Sequence, residues 1–401
     1  KMNSIALGLL MMAAAPCAAA DAPVLDAQPK PAAAARAADG MAFAFYAREA
    51  ASPGNIFFSP YSLRSAFAMA YEGARGSTAD EMAKVFAFGS REAARAEAAE
   101  LAKKVKEAAG EAEFSQANAF WAQKGYKFLP AYTKTLKDSF SAAAFNADFS
   151  VPEKARGKIN AWTEKNTAGK IKELFPAGSL DPNSRLVLVN AARFKGAWQQ
   201  PFRKDLTREA DFFRADGKSS KAMMMSSGKP MRAGYYEDET LQALSLPYRG
   251  GTLEMLVLLP RPGRGTAALS GTLTPEKLAA LRAAMETRRI QVYLPRFKFS
   301  APYKLNAALA ALGMPLAFTD AADFSGMDGT QKLYIQNAFH KAFVEVNEEG
   351  TEAAAATGVA AGIKSMSFED AVFRADRPFV FLIEDAKSGL PLFMGRLDDP
   401  R

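Results

Sequence analysis

The sequence is poor in the side chains that bind metals and carry out nucleophilic catalysis. It has one cysteine and one histidine in 401 residues, Cys17 and His340. Metal sites with two histidine ligands are therefore excluded. The part of the chain after Cys17 also has no zinc–thiolate site, no cysteine nucleophile and no disulfide. A chain without disulfides needs no oxidising compartment to fold. We expect no metal and no cofactor.

Three motifs of catalytic and nucleotide-binding sites are also missing. No Gly-x-Ser-x-Gly elbow, no Gly-x-x-x-x-Gly-Lys phosphate loop and no Gly-x-Gly-x-x-Gly dinucleotide loop occurs. Gly263 and Gly265 follow a proline after a strand-like run, which is typical of a connection. A serine hydrolase based on His340 remains open, because a catalytic triad is recognised by geometry rather than by spacing. An enzyme is not expected.

Long apolar runs and one-sided charge are rare as well. Beyond the first segment, no stretch approaches about 18 unbroken apolar residues, so no membrane span is predicted. The formal net charge is +8, but the charges are scattered, which favours a solvated surface over a nucleic-acid site. The densest basic run, Lys103, Lys104 and Lys106, lies in an alanine-rich helical stretch. A solvated helix face is the favoured interpretation and polyanion binding the alternative.

The first 34 residues are not expected to belong to the fold. Lys1, the apolar run Ile5–Ala15 and the small residues Ala18–Ala20 have the layout of a secretory signal peptide over residues 1–20. A lipid-acceptor role for Cys17 is the alternative, and Pro16 argues against it. Residues 21–34 are rich in alanine and proline and predict a disordered lead-in. We expect a secreted protein, extracellular or periplasmic, with no membrane attachment in its mature form.

Residues 35–401 show no repeat and no clean boundary, so they are predicted to form one domain. Helical patterns begin at Ala35 and dominate to about residue 110, interrupted at Asn55–Ser62 by an apolar run that Pro60 stops. Strand-like runs follow in the later half: Leu253–Leu259, the alternating residues Ile290, Val292 and Leu294, Phe379–Ile383 and Leu392–Met394. Helices first and strands last predict an α+β fold.

One segment near the end has an unusual composition. From Gly350 to Gly362, eleven of thirteen residues are glycine, alanine or threonine. At a period of two, one face carries nothing large or charged: Thr351, Ala353, Ala355, Thr357, Val359 and Ala361. The other face carries Glu352 and is expected to tolerate water. Such a segment is suited to an exposed loop that can enter a sheet, with a short helix or a flexible linker as the alternatives.

The run Glu348–Thr357 resembles the hinge of inhibitory serpins, and the similarity extends over nearly the whole chain from about residue 36. Further serpin-like motifs follow in family order: Asn55–Pro60, Asn190 with Phe194–Trp198, Leu294–Lys298, Ala322–Met327, Phe373–Phe379 and Phe393–Arg396. Each is weak alone, but their shared order and spacing make the resemblance specific. It implies the serpin fold, with a helix-rich N-terminal half, three β-sheets and an exposed reactive-centre loop at about residues 349–370.

The resemblance implies a monomeric inhibitor that acts as a suicide substrate of a serine protease. In serpins the protease cleaves the loop, forms an acyl-enzyme, and is carried away as the freed loop inserts into a sheet. Counting sixteen positions on from Glu348 gives Lys364 as the specificity residue and Lys364–Ser365 as the cleaved bond. A register error would give Ile363 or Met366 instead. A lysine at this place implies a trypsin-like protease.

The resemblance also assigns roles to individual residues. The hinge that it implies consists of Glu348, Gly350, Thr351, Glu352, Ala353, Ala354, Ala355 and Ala356. The implied shutter, a hydrogen-bonded cluster beneath the sheet, is Ser59, Asn190 and His340, and the implied breach, where insertion starts, is Trp198. Gln336 stands where relatives often have serine. A non-inhibitory serpin, a carrier or chaperone, is the alternative, and the small hinge residues argue against it.

Overall fold

A computed structural model describes residues 33–271, 273–352 and 371–401. The predicted signal peptide, the predicted lead-in up to residue 32, Ala353–Ala356 of the hinge and the Lys364–Ser365 bond lie outside these ranges. The first helix begins at Ala33, inside the predicted lead-in and two residues before the helical pattern was expected to start.

Helices fill most of the first part of the described chain, as the sequence predicted. They are α1 Ala33–Glu49, α2 Pro60–Gly73, α3 Gly76–Phe86, α4 Arg91–Ala109, α5 Pro130–Phe140, α6 Pro152–Asn166, α7 Thr266–Ser270, α8 Pro275–Ala284, α9 Asn306–Ala311 and α10 Ser325–Asp328, with a 3₁₀ turn at Leu316–Phe318. On α4, Lys103 and Lys104 form ion pairs with Glu107 and Glu100, as on a solvated helix face. None of these helices is long and apolar enough to cross a membrane.

Strands dominate from residue 186 onward and complete an α+β fold. They are β1 Ile56–Phe58, β2 Glu113–Gln123, β3 Ala143–Ala147, β4 Leu186–Ala197, β5 Arg203–Phe213, β6 Ser219–Ser226, β7 Met231–Glu237, β8 Leu241–Pro247, β9 Leu253–Pro260, β10 Glu286–Pro295, β11 Phe297–Lys304, β12 Ile335–Asn347, β13 Gly350–Thr351, β14 Ala371–Arg374, β15 Phe379–Asp385 and β16 Pro391–Leu397. The predicted strands at Leu253–Leu259, Ile290–Leu294, Phe379–Ile383 and Leu392–Met394 are confirmed as β9, β10, β15 and β16.

Hydrogen bonding joins the described strands into two sheets rather than the three that were expected. A ten-stranded sheet runs β1-β16-β15-β9-β8-β7-β10-β6-β5, with β14 beside β10. The extra continuity comes from β10, which pairs with β7 through Glu286–Ile290 and with β6 through Tyr293–Pro295. One strand thereby links two regions that its alternating apolar pattern gave no reason to connect.

The second sheet has six strands in the order β11-β12-β13-β4-β2-β3. One of its faces is covered by α6, whose Ala155 and Ile159 belong to the same buried cluster as Val189 of β4 and Phe339 of β12. Its other face packs in part against the larger sheet, where Phe194 of β4 shares a core with Phe381 and other aromatic residues. The central strands β4 and β12 are therefore buried on both faces, as their long apolar runs require.

Two carboxylates are buried side by side in the larger sheet. Glu384 of β15 has no exposed side-chain surface and receives two hydrogen bonds of 2.6 Å from Arg282 of α8. Glu254 of β9 lies opposite Glu384 in the strand register and accepts a hydrogen bond from the Ser245 hydroxyl. Burial and the charge of Glu384 raise the pKa of Glu254 to about 7. Arg282 therefore holds Glu384 directly and places its positive charge close to both carboxylates.

Candidate functional site

The small-residue segment enters the six-stranded sheet between its two parallel central strands. Over most of their length β4 and β12 pair directly, from Leu186 opposite Ile335 to Arg193 opposite Phe343. Above that point they separate, and β13 lies between them, antiparallel to both. The first residues of the predicted hinge thus already form a strand in the sheet.

Glycine is the only residue type that fits the first position of this short strand, which Gly350 occupies. A Cβ atom on Gly350 would lie 2.0 Å from the carbonyl oxygen of Gly196 on β4, far inside van der Waals contact. The approach of two backbones explains why the hinge begins with glycine. Any side chain here would push β13 out of the sheet.

Thr351 connects the hinge to the predicted breach. Its side chain is fully buried, and its hydroxyl lies 2.7 Å from the hydroxyl of Tyr248. The Tyr248 ring stacks on Trp198 with ring centroids 4.7 Å apart, and the Trp198 indole N–H donates to the Asn347 carbonyl at 3.0 Å. Trp198 therefore lies against the turn that leads into β13. This position has room for a small, hydrogen-bonded side chain only.

Glu352 does not lie on a water-tolerating face, so that expectation is wrong. Its side chain is 1% exposed and its carboxylate lies 2.5 Å from the Arg193 guanidinium and 3.5 Å from the Lys170 ammonium. Its backbone φ of +58° is in the left-handed region, which turns the chain away from the regular strand geometry that the prediction assumed. A buried ion pair therefore marks the point where β13 ends.

Glu348 and Glu349 fix the turn between β12 and β13. The buried Glu348 carboxylate accepts hydrogen bonds from Arg296 at 2.7 and 2.9 Å and from the Thr207 hydroxyl. Burial opposes ionisation of Glu348, but the Arg296 and Thr207 hydrogen bonds outweigh it and lower its pKa. Glu349 forms an ion pair with Lys204. The base of the hinge is thus tied to the start of β5 and to the residue just before β11.

The predicted shutter residues come together where β4 and β12 pair directly. Asn190 lies opposite His340 in the register, and the two side chains are hydrogen bonded. Ser59 caps α2 by accepting the Ser62 backbone N–H, and its hydroxyl donates to the Leu392 carbonyl at 2.7 Å. Both Asn190 and His340 therefore face the start of α2. Separation of β4 from β12 must break this cluster.

Both ring nitrogens of His340 are used inside the cluster. The Ser59 backbone N–H donates to its Nε2 at 3.0 Å, so the proton resides on Nδ1 and is directed at the Asn190 side-chain oxygen. Complete burial lowers the pKa of His340 to about 3. The Ser59 hydroxyl is occupied by Leu392, and the described contacts bring no serine hydroxyl to the ring. His340 is therefore not placed as the general base that a serine hydrolase needs.

We expect acid to destabilise the protein through His340. Its native pKa is about 3 against an ordinary value of 6.5, so the unfolded chain binds an extra proton between these values. The contribution is complete above pH 6.5 and is lost as the pH falls, at about 1.4 kcal/mol per pH unit. Urea unfolding from pH 7.5 to 4.5 measures the slope, which His340→Gln should reduce. Equal slopes in the two proteins would contradict the prediction.

Several residues at this site were not found from the sequence. Asn118 of β2 lies opposite Asn190 and accepts a hydrogen bond from its amide. Tyr248, Arg193, Lys170 and Arg296 contact the hinge from four separate segments. Gln336 does not join the His340 cluster: its side-chain oxygen accepts the Arg185 N–H at 3.0 Å. Within the described ranges, no group of three or more histidine, cysteine, aspartate and glutamate residues is arranged to hold a metal ion.

Comparisons with known proteins show the family and the fold of the chain. Residues 36–400 match the family model described as "Serpin (serine protease inhibitor)". The chain is 40% identical over 355 residues to leukocyte elastase inhibitor of Bos taurus, across 86% of this chain and 93% of that protein. Its structure matches that of Serpin48 from the insect Tenebrio molitor with a TM-score of 0.82 and 29% identity, over 91% and 98% of the two chains.

The fold is also shared with a thyroxine-binding protein. Human thyroxine-binding globulin superposes with a TM-score of 0.84 and 28% identity, over 92% of this chain and 98% of that chain. The architecture alone therefore does not separate inhibitors from binding proteins, and the hinge geometry has to do so.

Proposed function

The chain belongs to the serpin family of serine protease inhibitors, and we propose that it traps a trypsin-like protease by inserting its cleaved loop between β4 and β12. The observation that carries this proposal is β13, whose two residues already occupy the upper end of the space between these strands. A longer strand in the same place would convert the six-stranded sheet from partly parallel to antiparallel at its centre.

The register of β13 specifies which loop residues would enter the core. Thr351 lies opposite Gly196 of β4, so each further pair of loop residues moves two residues down that strand. Ala353, Ala355 and Thr357 would then lie opposite Phe194, Ala192 and Asn190. Phe194 and Ala192 are fully buried, and only small side chains fit against them without a rearrangement. The composition of the loop matches this requirement at every alternate position.

Cleavage is needed because full insertion separates the two ends of the loop. Thr351 and Ala371, the first described residue after the loop, both lie in sheets. An inserted strand from Thr351 to Lys364 would carry Lys364 about 40 Å from the hinge, at about 3.3 Å per residue. Ser365 remains joined to β14 through the rest of the chain. The bond between Lys364 and Ser365 must therefore be broken first.

The chemistry of trapping uses the catalytic serine of the protease. Its hydroxyl attacks the Lys364 carbonyl, the Lys364–Ser365 amide breaks, and the new amino group leaves on Ser365. The protease is then esterified to Lys364 and moves with it. About a dozen new strand residues, at roughly 0.5–1.5 kcal/mol per hydrogen bond, supply a driving force of order ten kcal/mol before ordering costs. The uncleaved form is thus kinetically held.

The specificity that we propose follows from the lysine at the cleavage position. The bovine relative is named as an inhibitor of leukocyte elastase. A lysine side chain instead fits a protease whose specificity pocket holds a carboxylate. We further propose that the protein has no enzymatic activity, acts as a monomer, and is exported through the segment at residues 1–20.

The proposed function is tested by mixing the mature chain with trypsin, followed by a denaturing gel and mass spectrometry. We expect a denaturant-stable complex whose mass is the sum of both proteins less residues 365–401. Lys364→Leu should reduce the rate of complex formation with trypsin by about 100-fold, because the lysine–carboxylate contact is lost. The matched control is Lys387→Leu, which changes an exposed lysine in the β15–β16 turn.

Three outcomes would contradict parts of this proposal. A released peptide that begins at Met366 or later, or at Lys364, would correct the register. Clean cleavage without a complex would indicate a non-inhibitory serpin. Equal trapping by the Lys364 variant and its control would exclude Lys364 as the specificity residue.

A further inference from the structure

The helix α6 lies across the place where the loop would insert. Its residues Ala155 and Ile159 belong to the same buried cluster as Val189 of β4 and Phe339 of β12. A strand that enters between β4 and β12 must therefore pass beneath α6. Anything that fixes α6 to the sheet will resist that passage.

A pocket of about 470 Å³ separates the first turns of α6 from the edge strand β3. Three lysines line it: Lys124, which follows β2, and Lys154 and Lys158 on α6. Lys154 and Lys158 are four residues apart on one helix face, so their charges repel. Within the described part of the chain, none of the three has a carboxylate within 4 Å, the distance that defines an ion pair.

The surroundings of these lysines add to the positive potential. The helix α6 begins at Pro152 without a side-chain N-cap, and the acidic residue of its first turn, Glu153, is paired with Arg156. Lys158 donates to the Asn146 carbonyl at 3.2 Å and lies 5.4 Å from the Trp121 ring centroid. Asp148 is the acidic residue of the lining, and its carboxylate is engaged by the backbone N–H and hydroxyl of Ser150.

A second basic run of the chain provides a contrast. On α4, Lys103 and Lys104 have glutamate partners one turn away and line no pocket together with β3. Three lysines therefore face one acidic residue at the α6 pocket, Asp148, whose charge acts on Lys124. On α4, each of the two lysines has its own glutamate partner. Clusters of cationic donors beside a helix N-terminus are suited to oxyanions.

We propose that the pocket between β3 and the N-terminal turns of α6 binds a small multivalent oxyanion of the phosphate or sulfate class, which ties α6 to the edge of the sheet. The anion would accept hydrogen bonds from Lys124 on the sheet side and from Lys154 and Lys158 on the helix side. It thereby ties the edge of the sheet to the helix that covers the insertion path. The bound anion thereby acts as a brake, because it slows insertion of the loop.

Isothermal titration calorimetry with inorganic pyrophosphate tests the site directly on the full mature chain. At constant ionic strength we expect one saturable site, weakened at least about tenfold in the double variant Lys154→Ala/Lys158→Ala, because two charge-assisted contacts are lost. The matched control is Lys103→Ala/Lys104→Ala, which removes the same charge from α4 and should bind within about twofold of the parent. Equal weakening in both variants, or no saturable binding, would overturn the proposal.

The effect on insertion rests on the proposed protease-trapping function and is measured separately. With saturating pyrophosphate, the share of cleaved chain that holds trypsin in a stable complex should fall in the parent and in the α4 control. It should stay unchanged in the Lys154→Ala/Lys158→Ala variant. Binding without any change in this share would refute the brake. If no variant traps trypsin at all, calorimetry still decides the site, so the two failures are distinguishable.

Discussion

Thr351→Arg is expected to turn the inhibitor into a substrate, which trypsin cleaves without being trapped in a stable complex. Thr351 is fully buried against Tyr248, which stacks on Trp198, so no solvent is available to a guanidinium at this position. Burying an unpaired charge costs about 3 kcal/mol or more, which slows passage of the strand about 100-fold relative to hydrolysis of the acyl-enzyme. The measured quantity is the fraction of cleavage events that yield a denaturant-stable complex.

The control for this variant is the same substitution on an exposed strand position. Thr287→Arg changes an exposed residue of β10 and should leave the trapped fraction as it is. Both variants should be cleaved by trypsin at similar rates, because recognition of Lys364 precedes insertion. A trapped fraction in Thr351→Arg equal to that of the control would show that β13 is not the start of the inserted strand.

Arg282→Met is expected to lower the free energy of unfolding by about 3–5 kcal/mol, because it leaves the buried Glu384 carboxylate without its cation. Glu254, opposite it, adds a second charge once the pH exceeds its pKa of about 7. Carboxylates with raised pKa values contribute stability that is complete below their unfolded pKa and is lost as the pH rises. The loss in Arg282→Met should therefore be larger at pH 8 than at pH 5, as measured by urea unfolding.

Two further variants separate loss of charge pairing from loss of packing. The double variant Arg282→Met/Glu384→Leu should recover most of the lost stability, because no unpaired charge stays buried. Arg288→Met removes an arginine that is about half exposed and pairs with Glu286 at the surface, and should cost less than about 1 kcal/mol. Failure of the double variant to recover would mean that packing of the Arg282 stem, rather than its charge, holds β15.

The sequence was informative wherever local pattern determines structure. The run Leu253–Leu259, apolar except at Glu254, predicted a buried strand, and the alternation of Ile290, Val292 and Leu294 predicted that those residues share one face. Both are confirmed, with all of these side chains buried. The double pairing of β10 was not predictable, because which neighbours a strand takes depends on distant residues.

At the functional site, too, the features that follow from local sequence were predicted and those that depend on distant residues were not. The small residues of the hinge predicted a strand that fits between others, and β13 occupies such a place over its two residues. The error at Glu352 arose because a period of two assumes a regular strand, whereas a left-handed residue ends the regularity there. Asn118 escaped notice because a single asparagine in a strand has no signal of its own. Only the register of β2 with β4 brings it to Asn190.

The two residues of β13 also bear on how fast a cleaved loop can respond. The first residue pairs of a new strand are the most unfavourable to form, and each later pair is added at a lower cost in free energy. Here β13 is already paired with β4 and β12 before any protease binds, so the cleaved loop does not have to find the place where it inserts. Its advance is then limited by the opening of the β4–β12 pairs ahead of it, one after another from the hinge downward. Trapping requires that loop insertion is faster than hydrolysis of the acyl-enzyme, and an insertion that has already begun makes this easier to achieve.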